Sequence, residues 1–287
     1  AASYAQIAWR SAWTKVHFPA EFMAAVLANW GGYYGQRVYL SEARQLGLTV
    51  RAPHINHSLH NFSVGNVSGE KQLFMGLGQI KHLRRKTIEK IIRLRPYHSL
   101  DDFLTRVDPR SQEAESLVKV SALEGLGSIP ALLERLQGGW QAGQMSLFAL
   151  TEDAKADWSL EEKMAAQQEI LGVSLAAHPL ELVADRIKKA GAIEIAEAVE
   201  RIGQRVTVAG VRQTSRRSRT AKGESMLFLT LEDFSGTLDV IVFPDLYRQV
   251  KQIATSNNPI LITGVLEIDK GREEPTLKAE KLVKLSS

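Results

Sequence analysis

Up to about residue 200, apolar positions recur at helical spacing; from residue 203 they recur at every second position. The opening helix places Tyr4, Ile7, Ala8 and Ser11 on one face and Ala5, Trp9, Ala12 and Trp13 on the adjoining one. It is apolar nearly all round, which predicts a helix buried within something larger. His17-Phe18-Pro19 stops it and starts a second helix, with Pro19 at its first position and a stripe of Phe22, Met23, Val26 and Leu27. The Gly31-Gly32 region is a turn, and a third helix over residues 38–46 stops at Gly47. Residues 48–50 are a short strand ended by Pro53, and residues 62–64 and 72–75 pair as a hairpin around 65–69. Gly76-Leu77-Gly78-Gln79-Ile80 leads into a helical face of Ile80, Leu83, Thr87, Ile88, Ile91, Ile92 and Leu94, broken near residues 82–85. Ser99 is an N-cap with Asp102 in its first turn, residues 113–120 are helical, and Pro130 opens a helix to about Gln137. Ser159 and Glu162 form a capping box for a helix to about Leu175. His178-Pro179 breaks that helix, and another over residues 180–189 ends at Gly191.

In the last third, Val206 and Val208 alternate with polar residues. So do Leu227, Leu229 and Leu231, then Leu238, Val240 and Val242, then Ile260, Ile262, Leu266 and Ile268. A mixed strand follows over residues 276–285, and a short helix over residues 245–253 separates the third and fourth strands. Five strands with a helix in that position predict an OB-type barrel, its groove flanked by loops at residues 214–224 and 269–274. The fold class expected is multidomain α+β, mainly helical before the barrel.

Charge sharpens this picture. The net charge is only +4, but it is clustered. One cluster holds Lys81, Arg84, Arg85, Lys86, Lys90, Arg93 and Arg95 against Glu89; the other holds Arg212, Arg216, Arg217, Arg219 and Lys222 with no acid. Two compact basic clusters point to a polyanionic partner. On the barrel, Phe228 and Phe243 lie opposite the apolar rows, where they can stack bases while the arginines track phosphates. The competing reading is that both phenylalanines are core and the basic loop is a solvated loop. Glu273 and Glu274 would repel a backbone on the other side, partly offset by Lys270 and Arg272. No apolar run is long enough to span a membrane. Zero cysteines exclude disulfides and thiolate metal sites and fit a reducing cytoplasm. His54, His57 and His60 recur every third residue, but an extended segment with no fourth ligand makes a poor metal site, and no metal is assigned. Nothing resembles a self-sufficient active site: Asp101-Asp102 reads as helix capping and Glu232-Asp233 as a turn. Between the halves, a glycine-rich stretch ends in Gln144-Met145-Ser146-Leu147-Phe148. Its Leu-Phe pair cannot build a core of its own and is a candidate anchor for another protein's pocket.

The order of these motifs resembles the bacterial C-family DNA polymerases, the alpha subunit of DNA polymerase III. Ala12-Trp13-Thr14-Lys15-Val16-His17-Phe18-Pro19-Ala20-Glu21-Phe22 is similar to the family's fingers segment. Phe74-Met75-Gly76-Leu77-Gly78-Gln79-Ile80-Lys81 is similar to the entry of its tandem helix–hairpin–helix domain. Ser121-Ala122-Leu123-Glu124-Gly125-Leu126-Gly127 and Leu171-Gly172-Val173-Ser174-Leu175-Ala176-Ala177-His178-Pro179-Leu180 follow in the family's order. The resemblance covers essentially the whole chain, and the replicative and error-prone branches both fit. It implies five segments: the end of the fingers (residues 1–74), tandem helix–hairpin–helix (75–137), a linker carrying a sliding-clamp motif (138–158), a helical connector (159–202) and an OB domain (203–287).

It further implies duplex backbone contact through Lys81, Arg84, Arg85, Lys86 and Lys119, and single-strand contact through Arg212, Arg216, Arg217, Arg219, Lys222, Phe228 and Phe243. Clamp docking would fall to residues 144–148, with Gln144 supplying hydrogen bonds and Leu147 and Phe148 filling the pocket. Arg10 and Lys15 would lie near the incoming nucleotide. The palm aspartates and their Mg²⁺ ions would lie outside this chain, which holds no cofactor and no complete active site of the nucleotidyltransferase. Other replisome subunits, a bacterial cytoplasm and the nucleoid would be its surroundings. Two departures stand out: His82-Leu83-Arg84 and Val120-Ser121 replace the glycines usual in the two hairpins. A stand-alone DNA-binding adaptor and an OB-type RNA-binding module are the alternative readings.

Overall fold

A computed structural model describes residues 2–29, 34–67, 69–138, 156–256, 258–268 and 274–285. The pentapeptide at 144–148 and Lys270, Arg272 and Glu273 lie outside the described residues. The chain divides into two compact units, Ala1–Ala177 and His178–Ser287.

The first unit begins with α1 (Ala2–His17), α2 (Pro19–Ala28) and α3 (Gln36–Gln45). A three-stranded sheet follows in the order β1 (Val50–Arg51), β3 (Glu70–Phe74), β2 (Ser63–Val67). After a 3₁₀ turn at Leu77–Gln79 come α4 (Arg85–Leu94), α5 (Leu100–Val107), α6 (Ser111–Lys119), α7 (Ile129–Gln137) and α8 (Leu160–Leu171). Local chemistry sets many of these ends. The Ser99 hydroxyl accepts from the Asp102 N–H at 3.1 Å, and Ser159 and Glu162 form the reciprocal box that opens α8. The first N–H of α7 is capped from a distance: Asp157 Oδ1 accepts from Ile129 at 2.9 Å. One apolar core holds Met23 and Leu27 of α2, Leu73 of β3, Ile88 and Ile91 of α4, Phe103 of α5, Leu117 of α6 and Ile170 of α8. Each such side chain contributes roughly 1.5–3 kcal/mol by leaving water.

The described residues leave the apolar surface of α1 uncovered, so its expected burial would have to come from something larger: Tyr4 is 82 % exposed, and Ile7, Trp9 and Val16 are exposed as well. Helical periodicity reports which residues share a face; what covers that face depends on tertiary packing. Two expectations change here. The hairpin turns later than residue 65, because Gly65 sits inside β2 opposite Gln72. A side chain there would meet the Phe74 ring at 2.9 Å, so the glycine serves a close approach rather than the turn. Finally, α8 stops at Leu171 because Gly172 takes the left-handed conformation, φ +78°. The Gln167 side chain then accepts from the Leu175 and Ala176 N–H groups at 2.7 and 2.8 Å.

The second unit starts with a 3₁₀ turn at Glu181–Val183, then α9 (Ala184–Lys189) and α10 (Ile195–Ala198). Its body is a closed barrel of β4 (Arg205–Arg219), β5 (Ser225–Glu232), β6 (Thr237–Val242), β7 (Ile260–Ile268) and β8 (Pro275–Lys284). The strands close in the order β4-β5-β6-β8-β7, with α11 (Pro244–Ala254) between β6 and β7 in sequence. The expected alternation is borne out except at Ile268, which is exposed at the end of β7: Val206, Val208, Leu227, Leu229, Leu231, Leu238, Val240, Val242, Ile260, Ile262 and Leu266 fill the interior, and Tyr247 and Val250 of α11 join them. The expected basic loop is a strand instead. β4 runs to Arg219 and pairs with β5 up to Arg219 opposite Ser225, leaving only a tight turn, in which the Thr220 N–H bonds Glu224 O at 2.9 Å. Consecutive arginines hide the period-two pattern, yet their backbone pairs as well as any other. Among the described residues, no helix is long and apolar enough to cross a membrane.

Candidate nucleic-acid interface

In the helical unit the site is built around a carboxylate. Glu113, in the first turn of α6, is 1 % exposed. It accepts from Arg84 Nε at 2.9 Å and Arg84 Nη2 at 2.7 Å, from the Arg84 and Arg110 backbone N–H groups at 2.9 Å each, and from the Thr87 hydroxyl at 2.9 Å. Burial by itself would raise this carboxyl. The Arg84 guanidinium and the surrounding N–H and O–H donors outweigh burial and hold it at about 2. Glu113 therefore ties the start of α4 to the start of α6 and fixes Arg84 between them.

The remaining cations of this region differ in what holds them. Lys81 Nζ donates to the Glu169 carbonyl. Arg85 pairs with Glu89 and Lys119 with Glu115, each one turn away on its own helix. Lys86 is exposed and has no ion-pair partner among the described residues. The two hairpin positions that lack glycine nevertheless adopt glycine-like backbone: His82 has φ +68° and Ser121 has φ +66°. A left-handed conformation costs a residue with a side chain roughly 1–2 kcal/mol, and the surrounding fold imposes it here.

On the barrel, strand register assembles a row that no single segment carries. Arg216 on β4 faces Phe228 on β5, Phe228 faces Ile241 on β6, and Ile241 faces Lys278 on β8. The Arg216 guanidinium lies over the Phe228 ring, 5.6 Å from its centroid. Lys278 is steadied by Glu267 at 2.6 Å. Beside this row, the Thr214 hydroxyl donates to Thr230 at 3.2 Å and Thr230 to Asp239 at 2.9 Å. The basic cluster is split by the strand's alternation. Arg217 is paired with the inward-facing Leu227, so it emerges on the side opposite Arg216. Arg212 donates to Ser256 O and to Ser215 Oγ. Phe243 is exposed, as expected, but it caps α11 just past the end of β6 rather than lying on a strand, two residues beyond Ile241 of the row. Arg217, Arg219 and Lys222 are exposed and have no ion-pair partner among the described residues. Ile241 and Lys278 were invisible to single-segment reading, because only register brings them beside Phe228.

Of the remaining candidates, Lys15 pairs with Glu42, and Arg10 is exposed on α1. Residues 144–148 lie outside the described residues. The histidine triplet is otherwise engaged. His54 Nδ1 accepts from the Asn56 N–H at 3.0 Å, which leaves Nε2 to donate to Glu124 O at 3.1 Å. His57 stacks between His54 and Phe74. Among the described residues, no three His, Asp or Glu side chains form a group that could hold a metal ion.

Comparison with known proteins follows this division. The helix-hairpin-helix motif family matches residues 47–131, and the OB-fold nucleic acid binding domain family matches residues 206–285. The DNA polymerase III subunit alpha of Xylella fastidiosa is 29 % identical over 94 % of this chain and 26 % of its own length. That of Haemophilus influenzae is 30 % identical over 93 % of this chain and 26 % of its own. The error-prone DNA polymerase of Nocardia farcinica is 29 % identical over 94 % and 25 %. The chain thus spans about a quarter of the length of these relatives. Among solved structures, the second single-stranded DNA binding protein of Mycobacterium smegmatis is similar to 28 % of this chain and 84 % of its own, with 18 % identity and a TM-score of 0.26.

Proposed function

We infer that this chain, homologous over nearly its whole length to bacterial DNA polymerase III alpha subunits, serves a replicative or error-prone polymerase by holding DNA. The helix–hairpin–helix unit holds the backbone of duplex DNA, and the barrel holds single-stranded template. The observation that carries this reading is the row Arg216, Phe228, Ile241 and Lys278 on the outer face of the barrel. An aromatic ring flanked by cations offers a base a stacking surface and its phosphates a counter-charge, without reading sequence. On the helical side, contacts from basic side chains to phosphates would position the duplex in the same sequence-independent way.

Residues 144–148 would dock on the sliding clamp, tethering both DNA contacts to a ring around the same duplex and raising their effective concentration. The catalytic aspartates and Mg²⁺ belong to parts of the polymerase outside this chain, and no catalytic step is assigned to its residues.

The reading is tested by titrating the chain with duplex DNA, single-stranded DNA and single-stranded RNA of one sequence. Salt-dependent binding of both DNA forms is expected, and Arg216→Ala with Arg217→Ala and Arg219→Ala should flatten the salt slope for the single strand. A marked preference for RNA would favour the RNA-binding alternative. Leu147→Ala with Phe148→Ala should abolish clamp binding and leave DNA binding intact; retained clamp binding would remove the pentapeptide from the interface.

A further inference from the structure

A pocket of about 310 Å³ lies between the β4–β5 hairpin and the start of α11. Arg217 and Glu224 line it from the hairpin, and Pro244, Tyr247, Arg248 and Lys251 from α11. Strand alternation separates it from the stacking row. Arg217 shares its side of the sheet with the inward-facing Leu227, whereas Arg216 shares the outer side with Phe228. The inward side is the one that α11 covers with Tyr247 and Val250, so Arg217 meets the start of that helix rather than the Phe228 ring.

Three cations face one acid in the lining. Arg248 is neutralised, since it pairs with Glu224 at 3.1 Å and with Asp245 on its own helix. Arg217 and Lys251 are exposed and have no ion-pair partner among the described residues. Like charges gathered in a concave site are unfavourable without a counter-charge. The helix adds to the positive potential: Phe243 at its N-cap makes no side-chain capping bond, so the first-turn N–H groups receive no cap from it. The wall also holds an orphaned donor. Tyr247 is 4 % exposed, and its hydroxyl is buried with no hydrogen-bond partner among the described residues. A buried polar group in that state calls for a partner.

We propose that this pocket binds a phosphate monoester through Arg217 and Lys251, with the Tyr247 hydroxyl as a neutral donor. The two unneutralised cations match the monoester's charge of about −2 at neutral pH, whereas a backbone diester carries only about −1. The same group is carried by a free nucleotide and by the 5′ end of a strand. The site is separate from the row that stacks single strands and stands whether or not that reading holds.

The test is a calorimetric titration of the full chain with methyl phosphate, with dimethyl phosphate, and with a short thymidine oligonucleotide carrying or lacking a 5′-phosphate. Methyl phosphate is expected to bind on the order of tenfold more tightly than dimethyl phosphate. Arg217→Gln with Lys251→Gln should erase that preference and, because both side chains are exposed, leave the thermal midpoint in place. Tyr247→Phe removes only the orphaned hydroxyl, so the midpoint should hold or rise while methyl phosphate affinity falls about threefold. A 5′-phosphate that tightens oligonucleotide binding in the unsubstituted chain but not in the double variant assigns the group to a strand end; a preference confined to methyl phosphate assigns it to a free ester. No preference for methyl over dimethyl phosphate, or an undiminished preference in the double variant, would overturn the proposal. Unchanged affinity in Tyr247→Phe would strike the hydroxyl from the site. Absent oligonucleotide binding with the methyl phosphate preference intact would overturn the single-strand reading and leave this site standing.

Discussion

The helical unit and the barrel carry similar numbers of cations but prepare them differently. Around Glu113, Arg84 is locked by a bidentate pair and two helices are bolted together before any ligand arrives. On the β4–β5 hairpin, Arg217, Arg219 and Lys222 stand in solvent with no ion-pair partner among the described residues, and Arg216 rests on an aromatic ring. The first arrangement spends a buried carboxylate to fix geometry. The second leaves side-chain freedom to be lost on binding, at up to about 2 kcal/mol for each long cation that is immobilised. A duplex backbone is regular and suits a fixed cradle. A single strand is pliable and suits mobile cations around a stacking ring. Preorganisation here tracks the stiffness of the proposed partner.

The largest effect that could break this contrast is Glu113→Ala. It would leave the half-buried Arg84 guanidinium, the buried Thr87 hydroxyl and two N–H groups without their acceptor and should destabilise the helical unit by about 3 kcal/mol. Urea unfolding followed separately in the two units should show the loss in the first and not in the barrel; equal losses would mean that the carboxylate is not a local bolt.

A second test uses pH. The Glu113 carboxyl titrates at about 2 in the folded chain against an ordinary 4.5. Its contribution is therefore complete above pH 4.5 and is lost as pH falls toward 2. That shift amounts to up to about 3 kcal/mol, and Glu113→Gln should remove this part of the acid slope.

A smaller effect sharpens the barrel side. Phe228→Ala should cost single-strand binding about 1–3 kcal/mol in a fluorescence titration and leave duplex binding unchanged. Phe243→Ala, beyond the last residue of β6 and without a cross-strand pairing to Phe228, should cost less. Smallest is Ser121→Gly, which relieves a left-handed backbone at a side-chain-bearing residue and should stabilise the helical unit by about 1 kcal/mol, read as a raised thermal midpoint.

Much of the fold was legible wherever the signal is local. Ser99, Ser159 with Glu162, Pro19 and Pro130 marked helix starts because capping involves groups within one turn. The alternating valines, leucines and isoleucines marked the barrel because a half-buried strand shows its period in the chain itself. The candidate site was legible as two clusters of charge but not as geometry. The Arg216–Arg219 segment read as a loop, and Phe243 as a strand residue, because neither composition nor period reveals how far a hairpin stays paired. The apolar character of α1 is local and legible, whereas what covers it is not local.

The sequence by itself determined the order of elements, the change of period at the barrel and the two concentrations of basic residues. Each follows from backbone sterics, capping and charge within a few neighbouring residues. Tertiary structure alone decided that Glu113 would join Arg84 to Arg110, and that Arg216, Phe228, Ile241 and Lys278 would form one row. Apart from Arg110, which lies within one turn of Glu113, those partners are far apart along the chain. Their meeting depends on strand register and helix packing, which are set by the whole core and not by any one segment.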